Sequence, residues 1–253
     1  MNKLAGIANA TGIAAATLCG KQPPAVSIEG LRFAWPGTQA ACLDIPEFTV
    51  APGERVFLHG PSGCGKSTLL GILAGVIAPS AGTVRIGAGD LTALPAAARD
   101  RFRADNIGII FQQFNLLPYL SILDNVLLPC RFSAQRRRRA AQGGRDARAE
   151  ADRLLGHLGI DAALRRRPVT QLSVGQQQRV AAARALIGAP DLIVADEPTS
   201  ALDERNQRHF LDLLLAECAA PSALVLVSHD LRLAERFDRG VALADLNRAE
   251  ATE

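Results

Sequence analysis

At 253 residues, with 48% hydrophobic and 21% charged residues and 22 glycines, the chain can bury a core and lies within the size of one large domain or a domain with a lobe. That composition excludes a disordered chain or a fibrous repeat, and a net charge of +3 is too small on its own to argue for nucleic acid, which needs a concentrated basic face. Five cysteines, Cys19, Cys42, Cys64, Cys130 and Cys218, lie far apart with no C-x-x-C pair or His/Cys cluster of the kind a zinc site needs, so they are expected to be reduced thiols in a cytosolic setting.

In chain order, Met1 to Gly20 carries Lys3 and then an Ala/Gly/Ile/Leu stretch ending at Cys19, a faint resemblance to an export signal. Asn9, Thr11 and Thr17 interrupt it and Leu18 suits a lipid-modified cysteine poorly, so residues 1–24 are read as a poorly ordered tail. From Ala25 to Val50, Val26, Ile28, Leu31, Phe33 and Trp35 mark strand-like pieces before the turn at Pro36-Gly37, which predicts a small antiparallel edge sheet. Arg55 to His59 reads as a short buried strand, Gly60 to Gly65 as a loop, and Lys66 to Ala74 as a helix.

Ile107 to Phe111 is strand-like, and Phe114 to about Ala189 is expected to be helical, including the arginine-rich stretch Arg131 to Arg148 broken by Gly143-Gly144. Two more buried strands, Leu192 to Ala195 and Leu224 to Val227, end at Asp196-Glu197 and Ser228-His229, so parallel strands carry polar groups at the end where open α/β sheets place ligands. The longest apolar runs, such as Leu69 to Pro79, fall well short of the ~18 residues that suggest a membrane-spanning helix, and no such segment is expected.

Gly60-Pro61-Ser62-Gly63-Cys64-Gly65-Lys66-Ser67-Thr68 fits G-x-x-x-x-G-K-[ST]. Glycines let the backbone aim consecutive N–H groups at phosphate oxygens, and the positive N-terminal end of the following helix favours an anion a second time. Lys66 can reach the β- and γ-phosphates, the Ser67 hydroxyl is placed for Mg²⁺, and Thr68 is a second hydroxyl nearby. Cys64 inside the loop is read as a space-filler. Asp196, following four apolar residues, sits at the tip of a buried strand where its carboxylate can share that Mg²⁺. Glu197, pointing the other way, faces the attacking water and is the candidate general base; for an isolated Asp-Glu pair, a solvated acidic turn before Pro198 would be the reading.

Just upstream, Leu172-Ser-Val-Gly-Gln-Gln-Gln-Arg179 resembles the LSGGQ signature of ABC ATPases. The run from Gln171 to Asp203, with its L-S-x-G-Q-x-Q-R-V-A-x-A-R-A-L, D-E-P-T-S and A-L-D, resembles that family throughout, and the likeness extends from Val26 to about Leu243. It implies an α/β P-loop NTPase fold over residues 25–247: a RecA-like ABC ATPase core, a small antiparallel β subdomain, and an inserted helical subdomain at about 113–189. It also implies ATP and Mg²⁺ as cofactors and a homodimer in which ATP is sandwiched between two copies, with Ser173, Gly175 and Gln176 of one copy facing the phosphate loop of the other and Ser200 to Asp203 lining the junction.

By the same resemblance Gln112 links Mg²⁺ and water to the helical lobe, with the register open by one residue to Gln113; His229 touches the γ-phosphate and positions the water; and Trp35 stacks on adenine, with Phe33 as the alternative. Val174 departs from the family's glycine. A β-branched residue resists positive φ and carries a Cβ close to the nucleotide, yet its N–H survives, so activity is expected to be retained.

Phe114-Asn-Leu-Leu-Pro118 and Ser121 to Val126 resemble the ABC ATPases of the lipoprotein-release and macrolide-efflux group. That implies an integral membrane permease of FtsX-like four-helix topology as partner, at the cytoplasmic face of the inner membrane, docking near Gln112 where Leu116, Leu117 and Tyr119 offer apolar contact. An importer ATPase for a small solute is the alternative. Arg136 to Arg139 and Arg165 to Arg167 are expected to be solvated faces, with anionic headgroups as the sharper option. A non-transport ABC ATPase acting on DNA or ribosomes has only these runs in its favour, so no nucleic acid is expected, and Glu197 with His229 opposes a cassette without chemistry.

Overall fold

In the computed structural model of the chain, which describes residues 23–249 except 39, 219 and 220, the first element is strand β1 (Val26–Phe33). The export-signal and tail readings of the N-terminus, with Cys19, lie outside the described residues. Strand β1 alternates buried and exposed residues and pairs antiparallel with β2 (Leu43–Val50), Leu31 opposite Ile45 and Val26 opposite Val50. Period-two burial is the mark of a sheet with one face on the core.

Strand β3 (Arg55–His59) leads through the glycine loop into helix α1 (Lys66–Leu73). Then β4 (Ala81–Ile86) and β5 (Gly89–Asp90) return to the antiparallel sheet, giving the order β2-β1-β4-β5. Where β4 crosses the bulge of β1, Gly82 lies so close that a Cβ would stand 2.3 Å from the Gly30 carbonyl oxygen, which only glycine permits.

Helix α2 (Ala96–Asn106) runs into β6 (Ile107–Ile110); helices α3 (Ile122–Phe132), α4 (Ala134–Ala140), α5 (Ala147–His157) and α6 (Val174–Leu186) follow. The chain re-enters the sheet as β7 (Leu192–Asp196), crosses through α7 (Glu204–Glu217) to β8 (Ala223–Val227), and finishes with β9 (Arg239–Ala242) and α8 (Leu243–Leu246). The second sheet is parallel throughout, in the order β6-β7-β8-β3-β9. Its central strand β8 is buried at every position, as a sheet covered on both faces requires.

One apolar cluster joins the parallel sheet to α3, α5, α6 and α7, and a second joins it to α1 and the antiparallel sheet. At about 1.5–3 kcal/mol per fully buried aliphatic or aromatic side chain, these two layers fix the sheet edge on which the polar residues sit.

The structure departs from the sequence expectations at several positions. Residues 114–121 are not helical: Phe114 and Asn115 take φ of 58° and 49°, and the segment is a loop ahead of α3. Strand β1 stops at Phe33, leaving Trp35 beyond it. The solvated face expected for Arg136–Arg139 holds for Arg137 and Arg138 only. Arg136 is 2% exposed, its guanidinium donating from Nε to Ile187 O at 2.8 Å, from Nη1 to Ile107 O at 3.1 Å and from Nη2 to Ala185 O at 2.6 Å. Burial pulls its pKa down to about 10, still well above neutrality. Arg139 reaches Asp191 at 3.0 Å. Arg165, in the second run, pairs with Asp152 at 2.9 Å.

Candidate functional site

The parallel sheet sets the carboxyl ends of β6, β7, β8 and β3 side by side, and each carries residues singled out by the sequence. Gln112 follows β6, Asp196 ends β7 with Glu197 next, His229 follows β8, and the phosphate loop follows β3. Backbone bonds carry the ladder past the strand ends: Glu197 N donates to Val227 O at 3.0 Å and Ser228 N to Leu58 O at 3.3 Å.

In the phosphate loop Gly63 and Gly65 take φ of 79° and 105°. At Gly65, which caps α1, a Cβ would stand 2.8 Å from Leu43 Cδ2 and 3.4 Å from the Cys42 carbonyl oxygen. Residues Pro61 to Thr68 line a cleft of ≈ 760 Å³ together with Trp35, Cys42 and Asn247. Gly60 contributes its carbonyl, which accepts from Lys66 Nζ at 2.8 Å; the same ammonium donates to Pro61 O at 2.7 Å and so lies over the loop.

The two hydroxyls of the motif diverge. Ser67 is exposed, while Thr68 turns inward, 3.7 Å from the Cys42 thiol. The two aromatics diverge as well: Phe33 is buried, and Trp35, 49% exposed, opens on the cleft with its ring edge-on to Phe33 at 5.1 Å between centroids.

At the end of β7, Asp196 Oδ1 is buried with no hydrogen-bond partner among the described residues. A lone carboxylate oxygen in that state costs free energy unless a cation or donor completes it, and with the open Ser67 hydroxyl it makes an oxygen donor set of the hard kind that suits Mg²⁺. Glu197 leaves the strand with a left-handed φ of 45°, so its direction comes from a turn and not from strand alternation. Ser200 holds that turn, donating from N at 3.2 Å and from Oγ at 3.0 Å to the Glu197 carbonyl. A non-glycine residue in this region costs about 1–3 kcal/mol and persists where its surroundings enforce it. The turn brings Glu197 Oε2 within 2.9 Å of His229 Nδ1, the carboxylate mostly covered and the imidazole exposed.

Gln112 and Gln113 are both exposed, at the centre of a turn closed by Phe114 N donating to Phe111 O at 3.1 Å.

The signature segment forms the start of α6. Ser173 is its N-cap, its side chain accepting from Gln176 N at 3.3 Å while Gln176 Oε1 accepts from Ser173 N at 3.0 Å, a reciprocal capping box. Val174 is the first helical residue, has ordinary negative φ, and is 48% exposed, so the strain expected of a β-branched residue there does not arise. Gly175 follows in the same turn. No residue from Gln171 to Arg179 lines the phosphate cleft of its own chain. Asp203 caps α7, and the Asn206 amide and side chain hold its carboxyl below the usual range.

Asn247 is a cleft residue that carries no signal in the sequence. It accepts from Asp44 N at 2.7 Å and donates to Cys42 O at 3.0 Å, tying the C-terminal segment to the cleft wall. A lone asparagine beyond the last motif has nothing to mark it.

The family model described as ABC transporter matches residues 43–200, more than half of the chain. The chain belongs to the ABC transporter family. Its fold is that of an ABC ATPase cassette: it superposes with a TM-score of 0.75 and 34% identity on the ATP-binding cassette MJ0796, solved as a dimer in a post-hydrolysis state bound to ADP and Pi, covering 90% of this chain and 97% of that one. It is 39% identical over 222 residues to the macrolide export ATP-binding/permease protein MacB of Rhodopseudomonas palustris (strain HaA2), covering 87% of this chain and 33% of that protein. An uncharacterised ABC transporter ATP-binding protein of Mycobacterium tuberculosis (strain H37Rv) is 40% identical over 201 residues, covering 79% of this chain and 58% of that protein. The cassette thus spans from a third to under two thirds of the length of these curated relatives. No helix among its described residues is long and apolar enough to cross a membrane.

Proposed function

We propose that this cassette binds and hydrolyses ATP as a homodimer and drives an integral membrane permease of the macrolide-export or lipoprotein-release type, at the cytoplasmic face of the inner membrane. Support for the permease class comes from the MacB-like relatives and from the Phe114–Val126 stretch; its four-helix topology rests on that likeness. The single observation that carries the chemistry is the Glu197–His229 contact on the sheet edge shared with the phosphate loop and the unpartnered Asp196 oxygen.

The glycine loop cradles the β- and γ-phosphates with backbone N–H groups, Lys66 swings from its two carbonyls onto phosphate oxygens, and Trp35 offers its ring to the base. Asp196 and Ser67, joined by Gln112, would hold Mg²⁺, which when bound neutralises charge building on the transferring group. Glu197 accepts the proton of the attacking water, and His229, hydrogen-bonded to that carboxylate, orients it. Because the signature lies away from its own chain's cleft, the Ser173 end of α6 serves the nucleotide of the second copy, and two-fold symmetry completes two sites.

Turnover of Glu197→Gln tests this reading. The variant is expected to bind ATP normally and to lose at least about a hundredfold in kcat, the usual scale of a positioned base. A cassette whose turnover is indifferent to the substitution would contradict it.

A further inference from the structure

The loop that carries Gln112 follows it with two consecutive non-glycine residues in the left-handed region, Phe114 at φ 58° and Asn115 at φ 49°. Such residues stay there only when surrounding structure enforces it. At the far end of the loop, the buried Asn125 accepts from Leu117 N at 2.8 Å and donates to Leu117 O at 3.1 Å. At the near end Phe114 N donates to Phe111 O at 3.1 Å and Asn115 N to Gln113 O at 2.6 Å, and from outside the loop Arg184 holds the same pair: Nη2 donates to Phe114 O and Nη1 to Asn115 O, both at 2.6 Å. Among the described residues the hydrogen-bond partners of this guanidinium are these two carbonyls.

Arg184 belongs to α6, the helix that opens at Ser173. It also borders a groove of ≈ 580 Å³ lined by Phe111, Pro129 and the exposed Phe132. One side chain therefore touches the signature helix, the loop after Gln112 and a surface groove.

Resting on the role of Gln112 proposed above, we infer that Arg184 is a positioning residue: it locks the left-handed pair after Gln112, so that the Ser173 helix and the Gln112 loop move as one body. Without it, Phe114 and Asn115 relax toward negative φ, the chain changes direction, and the Gln112 amide no longer reaches the reaction centre. Binding of ATP by the phosphate loop, on another strand, is untouched.

The test is a double-mutant cycle in ATP turnover on the full chain with Gln112→Ala, Arg184→Met and the pair. Each single variant is expected to lower kcat by about tenfold, the lower end of the range for losing a group that orients a metal site, with KM for ATP little changed. The pair should be no slower than Gln112→Ala alone, because Arg184 acts through Gln112. Arg184→Lys, which can still donate to both carbonyls, should recover part of the rate. Asn115→Val, which disfavours positive φ without touching α6, should reproduce the Arg184→Met defect and keeps the test open if that variant fails to fold.

Multiplying defects in the pair, or an Arg184→Met effect confined to KM, would overturn the inference. An unchanged kcat in Gln112→Ala would instead remove the reading of Gln112 on which it rests, an outcome distinct from a slow Gln112→Ala beside a normal Arg184→Met.

Discussion

The phosphate loop and the junction between the helical stretch and β6 both hold backbone in demanding conformations, by opposite means. In the phosphate loop the residues that adopt positive φ are glycines, so the local sequence is sufficient for the shape and the N–H groups are left for a ligand. At the junction Gly188 is joined by three non-glycine residues, Phe114, Asn115 and Ala189, and arginines from distant elements hold carbonyls there: Arg184 those of Phe114 and Asn115, Arg139 that of Ala189 at 3.1 Å, and Arg136 those of Ile107, Ala185 and Ile187. A loop that must cradle a ligand is preformed by its own residues. A loop that must transmit a position is fixed from outside, where movement elsewhere can act on it.

The contrast is broken most forcefully at Arg136. Arg136→Ala leaves buried carbonyls without donors at about 1–3 kcal/mol each, so a loss of about 3 kcal/mol or more is expected in chemical denaturation. Arg137→Ala and Arg138→Ala, exposed neighbours in the same run, should stay within about 0.5 kcal/mol. Equal effects across the three would erase the distinction.

On the phosphate-loop side, Gly65→Ala places a Cβ at φ 105° against Leu43 and the Cys42 carbonyl. Relieving strain of about 1–3 kcal/mol moves the loop and displaces its N–H groups from the phosphates, so ATP affinity is expected to fall by roughly five- to a hundredfold, measurable by equilibrium nucleotide binding. The smallest effect is expected at Val174→Gly. Since Val174 already sits in a helical first turn, turnover should change by less than about twofold while stability falls by no more than about 0.5 kcal/mol through lost helix propensity. Recovery of activity from an inactive parent would show that Val174 blocks the nucleotide.

The same contrast separates the features that are legible in the amino-acid sequence from those that are hidden in it. The phosphate loop, its strand and helix, and the strand-end carboxylates are legible because glycine spacing and buried apolar runs are local signals. Arg136 reads as solvated because nothing in four consecutive arginines says which one faces three carbonyls supplied by residues 29 to 51 positions away. The loop at 114–121 reads as helical because the carbonyls of its left-handed pair are held by Arg184, 69 and 70 positions distant. Asn247 is invisible for the same reason, its partners Asp44 and Cys42 lying more than 200 positions back. At Val174 the family's glycine suggests a backbone need that the capping box of Ser173 and Gln176 does not impose.

The most direct test of the central claim, that each copy completes the other's nucleotide site, is sedimentation of the Glu197→Gln chain with saturating ATP and Mg²⁺. The account predicts a dimer that forms with ATP, is absent with ADP, and is lost when Ser173→Arg fills the helix end. A chain that remains monomeric at saturating ATP, with hydrolysis blocked and nucleotide bound, would contradict it.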